Sequence, residues 1–400
     1  KKPGSVQRAI MEVLAYINQL QRRSLILGAG GLILCGIGAI FTPAQFFHSY
    51  LFAYVFWFGI ALGSLAISFL HHLTGGRWGA VVRRLLESST RTLPLLALLF
   101  LPILAGLPQL YEWTDAQRVS ADHLLKEKAV YLNIPFFVFR TALYFGIWIF
   151  LAYLLNRWSR QQDEAESAAL LTRFQVIGGA GLLLYGLTMT FASVDWMMSL
   201  EPHWFSTIYG LLVITGQVLS AFAFTICVAA LLANYKPLSD VISSAQFHDL
   251  GNLTLAFVMI WAYLAFSQFL IIWAGNLPEE IPWYIHRLDS GWQWVALLLL
   301  LFHFALPFLL LLSRGTKKNP RLLAGVALGV LFLRVVDLFW LIAPDFHKHG
   351  LAVHYMDILL PIGIGGIWIA FYLHQLKSRP LVAVHDPNLK EILEHGRSSS

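Results

Sequence analysis

Long apolar runs alternate with short polar loops ten times along this 400-residue chain. The runs cover roughly 24–41, 49–70, 88–109, 129–155, 174–198, 207–233, 249–274, 292–313, 321–343 and 355–376. About 20 apolar residues suffice for a helix to cross the hydrocarbon, and the longer runs imply tilt or extension beyond it. A barrel would instead show segments of about 10 residues with alternating polarity. The pattern predicts an all-α, polytopic membrane protein with ten transmembrane helices in a single membrane domain over 1–400.

Charge placement adds a direction. The loop basic residues alternate strongly between the two sides, 21 against 5. The rich side takes Lys1, Lys2, Arg8, Arg22 and Arg23, then the loops around Arg77, Arg157, Lys236 and Lys317, and ends with Lys390 and Arg397. The poor side holds Arg118, Lys126, Lys128, Arg287 and Lys348. Positive-inside logic then expects a multi-pass protein with both termini cytoplasmic. The net charge of +6 therefore reports membrane orientation, and no nucleic-acid partner is expected. Composition agrees: 58% of residues are hydrophobic and 12% charged, against about 25% charged in soluble domains. The first run is too long for a typical signal-peptide core and lacks an A-x-A-like exit, so no cleaved leader is expected. Cys35 and Cys227 stand alone, and no haem-attachment, iron–sulfur, Walker A, Rossmann or H-E-x-x-H spacing occurs.

Two charges break the apolar pattern. Arg140 and Arg334 lie near the middle of their runs, where a bare charge costs roughly 2.5–3.5 kcal/mol on the insertion scale. Each must face a partner, the protein interior or a watery cavity. Arg334 and Asp337 are three apart and share a helix face; they read either as a self-neutralising pair or as one whose acid takes up protons when the arginine swings away. Arg140 has no acid within its own turn, so its partner lies on another span, with Asp195 and Asp337 the candidates. Tyr185, Thr188 and Asp195 also share a face. They form a polar stripe closing on Glu201 and His203, which can relay protons, or in which Asp195 merely caps the helix or pairs with a cation. His303 is the only histidine near mid-span. Without a second facing ligand it reads as a hydrogen-bonded core residue or a relay, not a haem ligand. Asp249, after His248 and one turn before Asn252, either caps the seventh helix or opens a path from the inner side. Glu87 beside Arg83, Arg84 and Arg91 reads as a surface ion-pair cluster. Trp261, Tyr263, Ser267 and Gln268 suggest an aromatic cleft able to hold a quinone headgroup, or plain packing.

Several of these segments together resemble the F subunit of alternative complex III, the bacterial quinol:cytochrome c (or other acceptor) oxidoreductase. The resemblance rests on the run from Ser193 through Asp195, Glu201 and His203 to Gly210, on His248 to Leu253, on Tyr263 to Leu270, on Trp283 to Trp292 and on Asp357 to Pro361. It extends over nearly the whole chain. That family belongs to the polysulfide-reductase membrane-subunit (NrfD-like) superfamily, whose fold implies two four-helix bundles plus flanking helices. It implies a place in the bacterial inner (cytoplasmic) membrane, in a respiratory or photosynthetic chain. It also implies partners: the homologous C subunit, the iron–sulfur and haem c subunits that carry the redox centres, lipid and the quinone pool. On this reading the chain has no cofactor of its own beyond a quinone it can bind. It supports assembly and a proton path through Asp195, Glu201, His203, Asp249, Arg140, Arg334, Asp337, His303, Tyr185 and Thr188. The alternatives are a quinol-binding subunit, with an aromatic cleft open to lipid near the outer face, and a free-standing secondary transporter. The transporter would use Pro135 and Pro307 to break helices at the midplane.

Overall fold

The computed structural model of the chain describes residues 3–164, 168–347, 349–383, 386 and 389. Of the loop charges counted above, Lys1, Lys2, Lys348, Lys390 and Arg397, and the side chains of Arg8 and Arg77, lie outside the described residues. The described chain is helical, with no strand, and ten helices are long and apolar enough to span a membrane. They are α1 (Met11–Phe41), α2 (Pro43–Thr74), α3 (Trp78–Ala105), α4 (Ile134–Glu164), α5 (Ala169–Leu200), α6 (Tyr209–Leu232), α7 (Ser244–Gly275), α8 (Trp292–Leu312), α9 (Pro320–Asp345) and α10 (Tyr355–Lys377).

Neighbour contacts group α2 to α5 as one four-helix bundle and α6 to α9 as a second, joined along α2 and α6. Helices α1 and α10 pair with each other and lean on α2. Helix α2 is the hub: 94% of its apolar window is buried. With no hydrophobic drive between helices in lipid, close backbone approach has to supply the packing. Glycines allow it here. A Cβ on Gly366 of α10 would lie 2.5 Å from Gly28 Cα of α1, and one on Gly63 of α2 would lie 2.3 Å from the Gln217 carbonyl oxygen of α6.

Local chemistry shifts several expected boundaries. The third span begins earlier than 88, and its outer half is not one rod. It breaks into Leu93–Leu99, Leu101–Ala105 and Leu107–Leu110, each with proline at its second position. Proline lacks the N–H and its ring clashes with the carbonyl four residues back. Helix α4 starts at Ile134 rather than 129, because the Asn133 side chain accepts from the Phe136 N–H at 2.9 Å. Pro135 falls in that first turn, where its missing donor costs nothing. Helix α8 contains a π-helical stretch, Leu299–Ala305, immediately before Pro307. The wider turn moves the carbonyl that the proline ring would otherwise strike. Thus neither Pro135 nor Pro307 divides its helix in the way the transporter reading requires.

Candidate functional site

The buried charges fall into one group per bundle. In the first, Arg140 of α4 meets Asp195 of α5 in a bidentate clasp: Nε donates to Oδ2 at 2.9 Å and Nη2 to Oδ1 at 2.8 Å. Asp195 is 0% and Arg140 6% exposed. The Tyr144 hydroxyl donates to the same Oδ2 at 2.8 Å, and the remaining Arg140 Nη1 donates to the Tyr131 carbonyl at 2.9 Å. The guanidinium also sits 3.8 Å from the Tyr131 ring and 4.2 Å from that of Phe136, where the negative ring faces favour a cation. Burial pushes the Tyr131 phenol up to about 12. The structure thus selects Asp195, not Asp337, as the partner of Arg140.

Tyr185 and Thr188 share the Asp195 face and are buried, but among the three the one direct hydrogen bond is from the Thr188 hydroxyl to the Tyr185 carbonyl at 3.3 Å, and none reaches Asp195. Tyr185 donates to Gln217 Oε1 at 2.9 Å; Thr188 accepts from the Trp148 indole at 2.8 Å and donates to the Leu184 carbonyl at 2.6 Å. An indole N–H only donates, so Trp148 cannot pass a proton onward. The expected stripe is therefore a set of anchors around an aromatic plug rather than a continuous wire. Trp148 and Trp196 pack edge to face there at 5.9 Å.

Above Asp195 lies a polar vestibule of about 360 Å³, lined by Glu112, Asp115, Glu201, Asp345, His48 and His203 among others. Tyr111, also in its wall, donates to the carbonyl of Trp196, next to Asp195, at 2.8 Å. His203 pairs with Asp122 at 2.6 Å. The amide of Leu125, and then His203, hold the Asp122 carboxyl below its ordinary range. Glu201 faces His286 and Arg287, each at 3.6 Å.

Arg287 was counted as a loop charge, yet it is 0% exposed. It donates to Asp345 at 2.6 Å and to the Leu341 carbonyl at 2.9 Å, and lies 3.8 Å from the Trp283 ring. The signal available in the sequence was its place on a short amphipathic helix, Ile281–Leu288, beginning Ile-Pro-Trp-Tyr.

In the second bundle Arg334 and Asp337 of α9 contact each other directly, and both are buried. The guanidinium lies flat on Gly216 of α6, where a Cβ would stand 2.1 Å from Nη2. Asp337 lines a cleft of about 530 Å³ between α7, α8, α9 and the Ile281–Leu288 helix. Trp261, Tyr263, Phe266, Phe304, Gln268 and Tyr284 also line it; Ser267 does not. Ser206 donates to Gln268 Oε1 at 3.1 Å, and burial pushes the Tyr284 phenol up to about 12.

His303, carried by the π-helical turn of α8, is 0% exposed and stands edge-on to Trp261 at 4.5 Å. Neither ring nitrogen has a hydrogen-bond partner among the described residues. This corrects the reading of a hydrogen-bonded core histidine. Burying such a ring without partners costs on the order of 1–3 kcal/mol, which sets it apart from ordinary packing.

Two expectations at the opposite end also change. Helix α7 begins at Ser244, and Ser243 with Gln246 forms its capping box. Asp249 therefore lies inside the helix, not at its cap, with its side chain half exposed and 3.8 Å from His248. The helix starts early because Ser243 already satisfies its first N–H groups. The Glu87 cluster is buried, not superficial: Glu87 is 4% exposed and accepts from Arg83 at 2.8 Å, Arg84 at 2.7 Å and Ser159 at 2.6 Å. It ties α3 to α4, and through Arg83 and Asp386 at 3.0 Å to the chain after α10.

Among the described residues no group of three or more His, Cys, Asp or Glu side chains is placed to hold a metal ion. The architecture and its buried pairs define an all-α, multi-pass membrane protein with a charged interior. Comparison with family models and with curated proteins returns no match for the chain.

Proposed function

We propose that this chain is an integral membrane subunit of a quinol:electron-acceptor oxidoreductase of the alternative complex III kind. It sits in the bacterial cytoplasmic membrane with both termini inside, carries no redox centre, supports assembly and offers a path for protons. Its partners are the homologous C subunit and the subunits bearing haem c and iron–sulfur clusters. The observation that carries the proton role is the Arg140–Asp195 clasp beneath the acidic vestibule, with a second arginine–aspartate pair beside His303 in the other bundle.

The chemistry follows from burial. A paired carboxylate stays ionised because the guanidinium compensates its desolvation. When a partner subunit's redox change opens the clasp, the same carboxylate is left in a low-dielectric site and takes up a proton. Closure expels the proton toward the vestibule, whose wall carries His203, Glu201 and Asp345.

A second reading, quinol binding by this chain, is favoured by the aromatic cleft, in which Gln268 and Asp337 can accept from quinol hydroxyls. Both readings are tested in the intact assembly reconstituted in vesicles. Asp195→Asn should lower protons released per electron while turnover persists. Asp337→Asn should do the same under the proton reading, but raise the KM for quinol under the second. Unchanged proton stoichiometry with normal turnover in both variants overturns the proton role. Purification without haem-bearing partners would overturn the assignment to such a complex.

A further inference from the structure

At the end of the bundle opposite the vestibule, a groove of about 580 Å³ opens between α3 and α4. Its mouth holds four guanidinium groups, Arg91, Arg157, Arg160 and Arg379, against one carboxylate, Glu164. Two of the four are committed to the protein. Arg91 donates to Ser378 at 2.8 Å and to the Gln375 carbonyl at 2.8 Å; Arg379 lies 3.4 Å from Asn156 and 3.9 Å from Glu87. Glu87 is already held by Arg83 and Arg84. Arg157 and Arg160 are exposed and have no hydrogen-bond or ion-pair partner among the described residues. Burial pulls the Arg379 pKa below its ordinary value; Glu87 and Asp163 oppose this, and Arg84 and Arg160 add to it. Among the described residues the lining of the mouth thus carries more positive than negative charge.

The wall beneath that mouth is different. Moving along α4 from Arg160 toward the bundle centre, the lining changes to Asn156, then Tyr153 and Ala152, then Ile149, with Pro94 of α3 facing them. At 1.5 Å per residue, the eleven positions from Arg160 to Ile149 drop roughly 16 Å. A soluble anion needs only the mouth. A molecule with a phosphate above a hydrocarbon tail matches both parts, in the right order along the axis of α4. Tyr153 sits at the change of polarity, where an amphipathic ring is favoured.

We propose that this groove binds the headgroup of an anionic phospholipid. Arg157 and Arg160 reach its phosphodiester, Arg91 and Arg379 supply the field behind it, and the Ile149–Tyr153 wall takes the first part of an acyl chain. Basic pockets between transmembrane helices suit such headgroups, and each cation near them adds favourable free energy. The site would fasten a lipid at the junction of α3, α4 and the segment after α10, the same junction tied by the Glu87 network.

The test uses the full chain in uncharged detergent, titrated with phosphatidylglycerol or phosphatidylcholine and followed by native mass spectrometry. The wild type should take up its first phosphatidylglycerol in preference to phosphatidylcholine. R157Q/R160Q should lose that preference by on the order of 10-fold. K236Q/R321Q, which removes two cations from the same end but outside the groove, should keep it. Arg157, Arg160 and Arg321 are exposed and Lys236 is half-buried, and thermal unfolding checks that each variant is folded. An equal preference in wild type and R157Q/R160Q overturns the proposal. So does displacement of the lipid by sn-glycerol 3-phosphate, which would make this a site for a soluble phosphate ester.

Discussion

The Arg140–Asp195 clasp makes a prediction in which the two partners are not equivalent. Asp195→Leu leaves Arg140 buried with only the Tyr131 carbonyl and two ring faces. A guanidinium cannot shed its proton in a protein, so the charge stays. Removing one partner of a buried pair in this way costs about 3–5 kcal/mol. Arg140→Met leaves Asp195 with the Tyr144 hydroxyl at 2.8 Å. That carboxyl can escape its charge by binding a proton, so the loss should fall about 1–2 kcal/mol short of the first. The double change R140M/D195L removes both charges together. Its stability should return to within about 1–2 kcal/mol of wild type, because apolar replacements of buried pairs are often neutral. A double-mutant cycle in detergent, read by denaturant unfolding, would then give a coupling energy of about 4–6 kcal/mol, the summed single losses less that of the double variant. Simple additivity of the two single changes would refute the account of the clasp as one desolvated unit. Equal losses in the two single variants would refute the asymmetry. The double variant also separates scaffold from function, since it should fold yet fail to release protons if the clasp is the titrating element.

Two further substitutions probe the rest of the charged interior. Gly216→Ala places a Cβ 2.1 Å from Arg334 Nη2; it should displace the guanidinium and cost about 1–3 kcal/mol, measured by thermal unfolding, and an unchanged midpoint would mean that Arg334 is not seated on α6. Arg287→Gln leaves Asp345 and Glu201 without their arginine; because a stranded carboxyl can bind a proton, a loss of about 2–3 kcal/mol in the same assay is expected, and a neutral effect would contradict its role as the tie between α9 and the Ile281–Leu288 helix.

How much of this was legible from residue order can be judged position by position. Arg334 and Asp337 are three apart, so helical geometry alone put them together. Arg140 had two candidate acids, because nothing local says which helix faces α4. Glu87 looked superficial, since arginine-rich ends of spans usually are; burial came from Ser159 and Gln162 of α4 and from Asp386 closing over it. Asp249 looked like a cap until Ser243 and Gln246 proved to start the helix earlier. His303 read from the sequence as a hydrogen-bonded core residue or a relay, and only its place on the π-helical turn beside Trp261 shows that its nitrogens have no partner among the described residues.

Run length and composition were enough to establish ten helices and an all-α membrane architecture, because a lone segment in lipid must satisfy its own backbone and has few ways to do so. That constraint acts within each segment and needs no knowledge of neighbours. The identity of Arg140's partner, the burial of Arg287, the acidic vestibule and the aromatic cleft depend on contacts between residues tens to hundreds of positions apart. Those contacts follow from how small residues such as Gly28, Gly63 and Gly216 let particular helices approach, and that is a property of the packed chain as a whole.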